Sequence, residues 1–101
     1  MLIYNTTYQV SNDEAQNLVI YLHEQFLPAA QASGEVKNPR LCRILSHQDP
    51  DSECFSLQFE VESSAVLHKW YTAVGNKLNA EMLKIFKDKV VGFPTLMEEI
   101  F

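Results

Sequence analysis

Four polar residues, Asn5, Arg43, Gln58 and Glu60, form the strongest candidate site in the sequence. Each lies in a segment whose apolar residues alternate, which predicts a β-strand with one buried and one polar face. An arginine on such a face could bind the carboxylate of a small molecule, or it could pair with Glu60 and fix the register between two subunits. Both interpretations, a ligand site and a hydrogen-bonded patch within a dimer interface, stay open.

His47 and Tyr4 are outer candidates for the same site. His47 precedes a turn, residues 48–53, that contains three acidic residues and leads to Cys54. This cluster lacks any recognised spacing of metal ligands, so we expect an ordinary acidic turn and no metal site. The sequence contains no G-x-S-x-G, no Gly-rich phosphate loop and no H-E-x-x-H. We therefore predict no catalytic residue and no cofactor.

The elements that would position these residues follow from the apolar periodicity. A central strand is predicted over Cys54–Glu62, where Phe55, Leu57, Phe59 and Val61 alternate with polar residues. The other strands are predicted over Leu2–Val10, about Arg40–His47 and about Lys89–Met97. The first helix should start at a capping box, Ser11 to Glu14, and kink or end near Leu27, before Pro28; the second should be capped by Ser63 or Ser64 and run to Phe86.

The predicted order, β-α-β-β-α-β, indicates a ferredoxin-like α+β sandwich in a single domain, residues 1–101. Its antiparallel four-stranded sheet has two helices on one face, and right-handed crossovers place the first and third strands in the middle. Pro94 lacks an amide hydrogen, which suits the predicted edge position of the last strand.

The register of the predicted hairpin decides which residues of the second strand share the open sheet face. We expect Arg43 and His47 on the open face and Cys42 and Ile44 on the buried one, because burying Arg43 under helices would be costly. A slip of one residue would exchange the two sets. Two open faces stacked about a two-fold axis would form a homodimer with a small polar cavity between the sheets, suited to a small-molecule ligand.

The composition excludes some function classes. The net charge is −5 and the eight basic residues are scattered, which disfavours binding to nucleic acid or to an anionic membrane surface. The first ten residues alternate and lack a basic region, which predicts a strand rather than a signal peptide. No apolar run approaches the roughly 20 residues of a membrane span. With two cysteines, expected as free thiols, we predict a cytoplasmic location.

Four segments, M-L-I-Y-N-T-T, R-L-C-R-I-L, F-S-L-Q-F and F-K-D-K-V-V-G-F-P-T-L-M-E, resemble an uncharacterised family of bacterial proteins of roughly a hundred residues. The resemblance covers nearly the whole chain and implies the dimeric α+β barrel fold. That wider group includes cofactor-independent monooxygenases, isomerases and haem proteins, but the family itself implies no reaction. Related sequences often have histidine before the proline dipeptide of the first helix, where this chain has Phe26.

Two functions remain after this reasoning. The first is a homodimeric ligand-binding or interaction module without catalysis. The alternative is a small cofactor-independent enzyme, monooxygenase- or isomerase-like, with its site in the cavity between the sheets; such an enzyme requires a titrating group within reach of the ligand.

Overall fold

Four antiparallel strands form one sheet in the computed structural model, which describes residues 1–101. The strands are β1 (Leu2–Ser11), β2 (Val36–Arg43), β3 (Ser52–Val61) and β4 (Val90–Glu98), in the order β2-β3-β1-β4. The predicted ferredoxin-like arrangement is confirmed, with the first and third strands central. The bounds of β1, β3 and β4 lie within about two residues of those predicted from alternation.

Two helical segments connect the strands, and a π turn interrupts each of them. The first consists of α1 (Ala15–Tyr21), a π turn (Leu22–Phe26) and α2 (Leu27–Gln31); the second consists of α3 (Ser64–Trp70), a π turn (Tyr71–Gly75) and α4 (Asn76–Phe86). Short 3₁₀ turns, Asn12–Glu14 and Lys87–Lys89, lie at the ends of the segments.

Both helical segments pack on the same face of the sheet, which we call the covered face. It carries the even-numbered residues of β1 and the odd-numbered residues of β3. The opposite face, here called the open face, carries the odd-numbered residues of β1 and the even-numbered residues of β3. On the covered face, Phe55, Leu57, Phe59 and Val61 are all at most 3% exposed, so β3 contributes the centre of the core.

Trp70 joins the two helical segments above this core. Its indole Nε1 donates a hydrogen bond of 2.9 Å to the backbone oxygen of Ala30, and its ring contacts Tyr4 and Phe59. Gly75 makes this position possible, because a Cβ atom there would lie 2.5 Å from Cζ3 of the Trp70 ring. The indole is therefore both buried and hydrogen-bonded, as a core tryptophan requires.

The two predicted helix starts have different outcomes. Ser63 caps α3, and its Oγ accepts a hydrogen bond of 3.2 Å from the amide of Val66, as predicted. The predicted capping box at Ser11 is wrong. Ser11 is the last residue of β1 and pairs with Ser52, and its Oγ is buried without a hydrogen-bond partner. Its backbone has the extended conformation of an N-cap residue, with φ −61° and ψ 147°, but its side chain does not make the capping hydrogen bond.

Pro28 was predicted to kink or end the first helix near Leu27, and the helix does not end there. Pro28 lies in the first turn of α2, directly after the π turn, and the helix continues to Gln31. The proline follows the point where i→i−5 bonding replaces the usual i→i−4 pattern, since the amide of Leu27 donates to the backbone oxygen of Leu22.

The predicted hairpin register is also wrong. β2 begins at Val36 rather than near Arg40, and the register shifts between Lys37 and Arg40, where Asn38 has a φ of 51°. After this bulge Arg43 pairs with Phe55, which places Arg43 on the covered face.

The desolvation cost that argued against this register does not arise at the sheet edge. The Arg43 side chain is 59% exposed, its Nε lies 3.2 Å from a Glu53 carboxylate oxygen, and its guanidinium lies over the Phe55 ring. Arg40 and Cys42, opposite Gln58 and Ser56, take the places on the open face.

Candidate functional site

A pocket of about 460 Å³ lies on the covered face, between α4 and the strands β1 and β4. We call it the tyrosine pocket. Its lining residues are Tyr4, Thr6, Tyr8, Tyr71, Asn76, Asn79, Ala80, Met82, Leu83, Val90, Gly92 and Pro94. Seven of the twelve are hydrophobic and none is charged. A volume of this size and a mostly apolar lining with a few polar groups are typical of small-molecule sites.

The alternation of β1 places three hydroxyl groups on one wall of this pocket. Tyr4, Thr6 and Tyr8 are two residues apart along the strand, so their side chains share the covered face. The neighbouring strand provides the space in front of them, since Thr6 pairs with Pro94 and Tyr8 with Gly92. A Cβ atom at Gly92 would lie 3.3 Å from the Tyr8 ring. A larger residue there would narrow the pocket.

The π turn of the second helical segment supplies the fourth hydroxyl. Tyr71 opens this turn and lines the pocket opposite β1. Asn79, two turns along the helix, donates from Nδ2 to the Tyr71 hydroxyl at 3.5 Å. π turns occur frequently at functional sites because they change the direction of side chains within a helix.

Burial keeps the phenols of β1 in their protonated form. It raises the pKa of both Tyr4 and Tyr8. Around neutral pH these groups are therefore available as hydrogen-bond donors rather than as bases. The pocket offers donors and an uncharged, largely apolar wall.

The residues predicted as a site lie in three different places. Asn5, Gln58 and Glu60 lie on the open face, as predicted. The buried Asn5 donates to Thr7 Oγ1 at 3.1 Å and accepts from Ser56 Oγ. Its polar groups are thus bonded within the sheet.

A groove of about 480 Å³ runs along this part of the open face. It is lined in part by Gln58, Glu60 and Arg40, so Arg40 takes the position predicted for Arg43. Arg43 lies on the other face, beside Glu53. The predicted combination of Arg43 with Asn5, Gln58 and Glu60 does not form.

The two outer candidates lie apart from this groove. Tyr4 is on the covered face and is the one predicted site residue that lines the tyrosine pocket. His47 lies in the loop after β2, with Nε2 2.9 Å from Ser52 Oγ and Nδ1 3.3 Å from Cys54 Sγ.

Sequence reasoning missed Tyr8, Tyr71 and Asn79 as site residues. The Y-N-T-T-Y stretch of β1 contained a usable signal, because tyrosine, threonine and tyrosine at alternate positions put three hydroxyls on one face. Tyr71 had no such signal, because the π turn that directs it into the pocket has no signature in the sequence.

No group of three or more His, Cys, Asp and Glu side chains is arranged so that it could hold a metal ion. None of the helices combines the length and the apolar character needed to cross a membrane.

Comparison with known proteins gives a family and a fold. A family model described as a domain of unknown function, DUF4286, matches residues 1–100. A search of curated proteins finds no match.

Among solved structures, a candidate antibiotic biosynthesis monooxygenase from Deinococcus radiodurans aligns with a TM-score of 0.69 at 19% identity and covers 98% of this chain and 92% of its own. A dimeric ferredoxin-like protein from an uncultured marine organism aligns with a TM-score of 0.67 at 12% identity. The alignment covers 98% of this chain and 95% of that protein. A MhuD variant with two manganese protoporphyrin IX molecules bound per active site aligns with a TM-score of 0.68 at 12% identity. The alignment covers 100% of this chain and 96% of that protein. At these identities the likeness shows the fold alone.

Proposed function

The chain belongs to the DUF4286 family, which is described as a domain of unknown function. Family membership assigns no activity, so we propose a function from the tyrosine pocket. The protein binds a small, uncharged, mostly apolar molecule that carries a hydrogen-bond acceptor. The observation that carries the proposal is the combination of three tyrosine hydroxyls with a lining that contains no charged side chain. The resemblance found in the sequence is confirmed at the level of the family and its fold.

The charge of the ligand follows from the cost of desolvation. A carboxylate or phosphate in this pocket would lose its water without meeting an arginine or lysine, which is strongly unfavourable. A carbonyl or ether oxygen could instead accept a hydrogen bond from Tyr4, Tyr8 or Tyr71 while the rest of the molecule contacts Met82, Leu83 and Pro94. An aromatic ketone has this distribution of polar and apolar atoms.

The pocket favours binding over the alternative of a cofactor-independent enzyme. Enzymes of that kind need a base whose pKa is near the working pH. The titratable side chains in this pocket are tyrosines, and burial raises the pKa of Tyr4 and Tyr8 away from neutrality. The candidate monooxygenase and the protoporphyrin-bound protein share the fold of this chain. Their likeness does not decide between the two functions, and the proposal rests on the pocket.

We also propose that the protein is a homodimer joined through the β4 side of the open face. The support is a group of exposed apolar residues on β4, Val91, Phe93 and Met97, which pair with the open-face residues of β1. One neighbour of the same fold is described as dimeric. The free cysteines are consistent with the reducing cytoplasm that the sequence suggests as its location.

Calorimetric titration with naphthyl methyl ketone tests the ligand proposal, and naphthoate is the matched anion. We expect the ketone to bind and naphthoate to bind at least about tenfold more weakly, because its carboxylate has no partner in the pocket. Equal binding of the two, or no binding of the ketone, would contradict the proposal.

A pair of variants localises the binding. Ala80 is exposed and lines the pocket, so Ala80→Phe should fill the space and weaken ketone binding at least tenfold. Ala65 is exposed on α3 away from the pocket, so Ala65→Phe should leave the affinity unchanged. Tyr8→Phe should lower the affinity by the value of one hydrogen bond, about 1 kcal/mol.

A further inference from the structure

Four side chains form a hydrogen-bonded chain at the β2–β3 hairpin. Cys54 Sγ lies 3.3 Å from His47 Nδ1, His47 Nε2 lies 2.9 Å from Ser52 Oγ, and Ser52 Oγ donates to Asp49 Oδ2 at 2.8 Å. This is the order thiol, imidazole, hydroxyl and carboxylate. The tyrosine pocket does not use any of the four.

The hydrogen-bond inventory fixes the tautomer of His47. The single hydroxyl proton of Ser52 goes to Asp49, so Ser52 Oγ can only accept from His47 and from Gln9, whose Nε2 lies 3.1 Å away. His47 therefore carries its proton on Nε2 and presents the lone pair of Nδ1 to the thiol of Cys54. A neutral imidazole in this orientation is positioned to take the thiol proton.

We propose that Cys54 is a nucleophilic thiol activated by His47, and that it is a site of covalent modification by small uncharged electrophiles. Asp49, through Ser52, orients the imidazole and stabilises the imidazolium that forms when the thiol loses its proton. This is the logic of a nucleophile, a base and an orienting carboxylate, with a serine between the last two.

In this arrangement His47 activates Cys54 by taking its proton during the reaction, and the sulfur is not a thiolate beforehand. Burial, and after it the charge of Asp49, raise the pKa of the Cys54 thiol, so the sulfur is protonated until His47 accepts the proton. The other charged groups near the hairpin are Asp51, in the same turn, and the Arg43–Glu53 pair on the covered face. The excess of carboxylates selects against anionic electrophiles.

Access to the sulfur is restricted to small molecules. Cys54 is 8% exposed on the open face, and β1 separates it from the apolar residues of β4 that we propose as the dimer contact. The tyrosine pocket lies on the opposite face of the sheet, so this inference does not depend on the proposed ligand.

The step with iodoacetamide as the electrophile is a substitution. The proton moves from Sγ to His47 Nδ1, the sulfur forms a bond to the methylene carbon, and the carbon–iodine bond breaks with iodide taking the electron pair. His47 then returns the proton to solvent. No oxidant or reductant is needed.

The test is the rate of alkylation at each cysteine, followed by mass spectrometry from pH 5.5 to pH 9 in the wild type, in His47→Gln and in the control His23→Gln. Cys42 is exposed and serves as the unassisted thiol within the same molecule. His23 is an exposed histidine on the first helical segment, distant from the hairpin.

We expect Cys54 in the wild type to react at lower pH than Cys42, because His47 takes the thiol proton during the substitution and no base assists Cys42. His47→Gln should lower the Cys54 rate at pH 7 at least about tenfold and leave Cys42 unchanged. Iodoacetate should modify Cys54 more slowly than iodoacetamide, relative to Cys42.

Three results would overturn the proposal. They are an unchanged Cys54 rate in His47→Gln, a Cys54 profile that follows that of Cys42, and no modification of Cys54 in the wild type when Cys42 has reacted completely. Circular dichroism and thermal unfolding of His47→Gln and His23→Gln establish that both variants are folded, so a loss confined to Cys54 in one of them reports the base.

Discussion

β3 and β4 both pair antiparallel with β1, on its two sides, yet they are buried to very different extents. Tyr4 of β1 has Phe59 on one side and Leu96 on the other, and all three side chains point to the covered face. Phe59 is 2% exposed and Leu96 is 46% exposed. The two helical segments cover β3 and stop short of β4.

This difference places both proposed functions on the same strand. Beyond Val90 every residue of β4 is exposed, whichever face it points to. On the covered face the unfilled space beside β4 is the tyrosine pocket, and on the open face β4 carries Phe93 and Met97. The chain buries β3 with its own helices, so any partner for β4 has to be another molecule.

The largest expected effect is the loss of Phe59 from the buried strand. Phe59→Ala should lower the free energy of unfolding by about 3–5 kcal/mol, because it removes a large buried side chain and leaves a cavity beside Trp70. Leu96→Ala, on the other side of Tyr4, should cost less than about 1 kcal/mol because the side chain is already half exposed. Urea unfolding monitored by the fluorescence of the single tryptophan measures both.

Equal losses of stability in the two variants would contradict the difference in burial between β3 and β4. A large loss at Leu96 that depends on protein concentration would have a different meaning, because it would show that β4 is buried by a second copy rather than by its own helices. Each variant is therefore measured at two protein concentrations about tenfold apart.

The second effect concerns the open face of β4. Phe93 is 53% exposed and pairs with Thr7. If a second copy covers this face, Phe93→Asp places an unpaired carboxylate in the interface and should weaken the dimer by about 2–4 kcal/mol. Sedimentation equilibrium over a range of concentrations should show the wild type near twice 11.6 kDa and the variant shifted toward the single chain.

Ile85→Asp is the matched control for this substitution. Ile85 is exposed on α4, on the helical layer rather than the open face, so its substitution should leave the mass unchanged. A monomeric wild type, or a loss of mass in Ile85→Asp alone, would place the contact elsewhere.

The sequence predicts β3 more completely than the surroundings of β4, for a physical reason. Alternation in β3 follows directly from one buried and one exposed face, so its place and orientation were predicted correctly. Pro94 correctly indicated an edge for β4. No feature of the sequence measures how far the helices extend across the sheet, and so the pocket beside Gly92 and Pro94 was not predicted.

The error at Arg43 has a different origin. The desolvation argument assumed that the helices cover β2 along its whole length, whereas Arg43 lies at the exposed end of an edge strand and pairs there with Glu53. The bulge at Asn38 then set the register. A single bulge reverses every side chain after it, and the predicted strand began only near Arg40, after the bulge.

The smallest expected effect tests what fastens the start of β4. Lys89 Nζ, one residue before the strand, donates to Asp13 Oδ2 at 2.6 Å. This contact lowers the pKa of Asp13 and raises the pKa of Lys89. A lowered carboxyl pKa contributes stability above the ordinary aspartate range, near 3.9, and that stability is lost as the pH falls through the lower pKa of the folded protein.

At neutral pH both groups are charged, so Asp13→Asn should have a thermal midpoint slightly below that of the wild type in low salt. The gap should narrow as the pH falls below 3.9 and close once the pH is below the lowered pKa of the folded wild-type carboxyl. It should also shrink at high salt because both side chains are exposed. Asp51→Asn, an exposed aspartate in the hairpin turn, is the control without a lysine partner. A gap for Asp13→Asn that is the same at pH 7 and pH 3 would show that the substitution acts on the turn and not through Lys89, and β4 would then be held by its pairing with β1 alone.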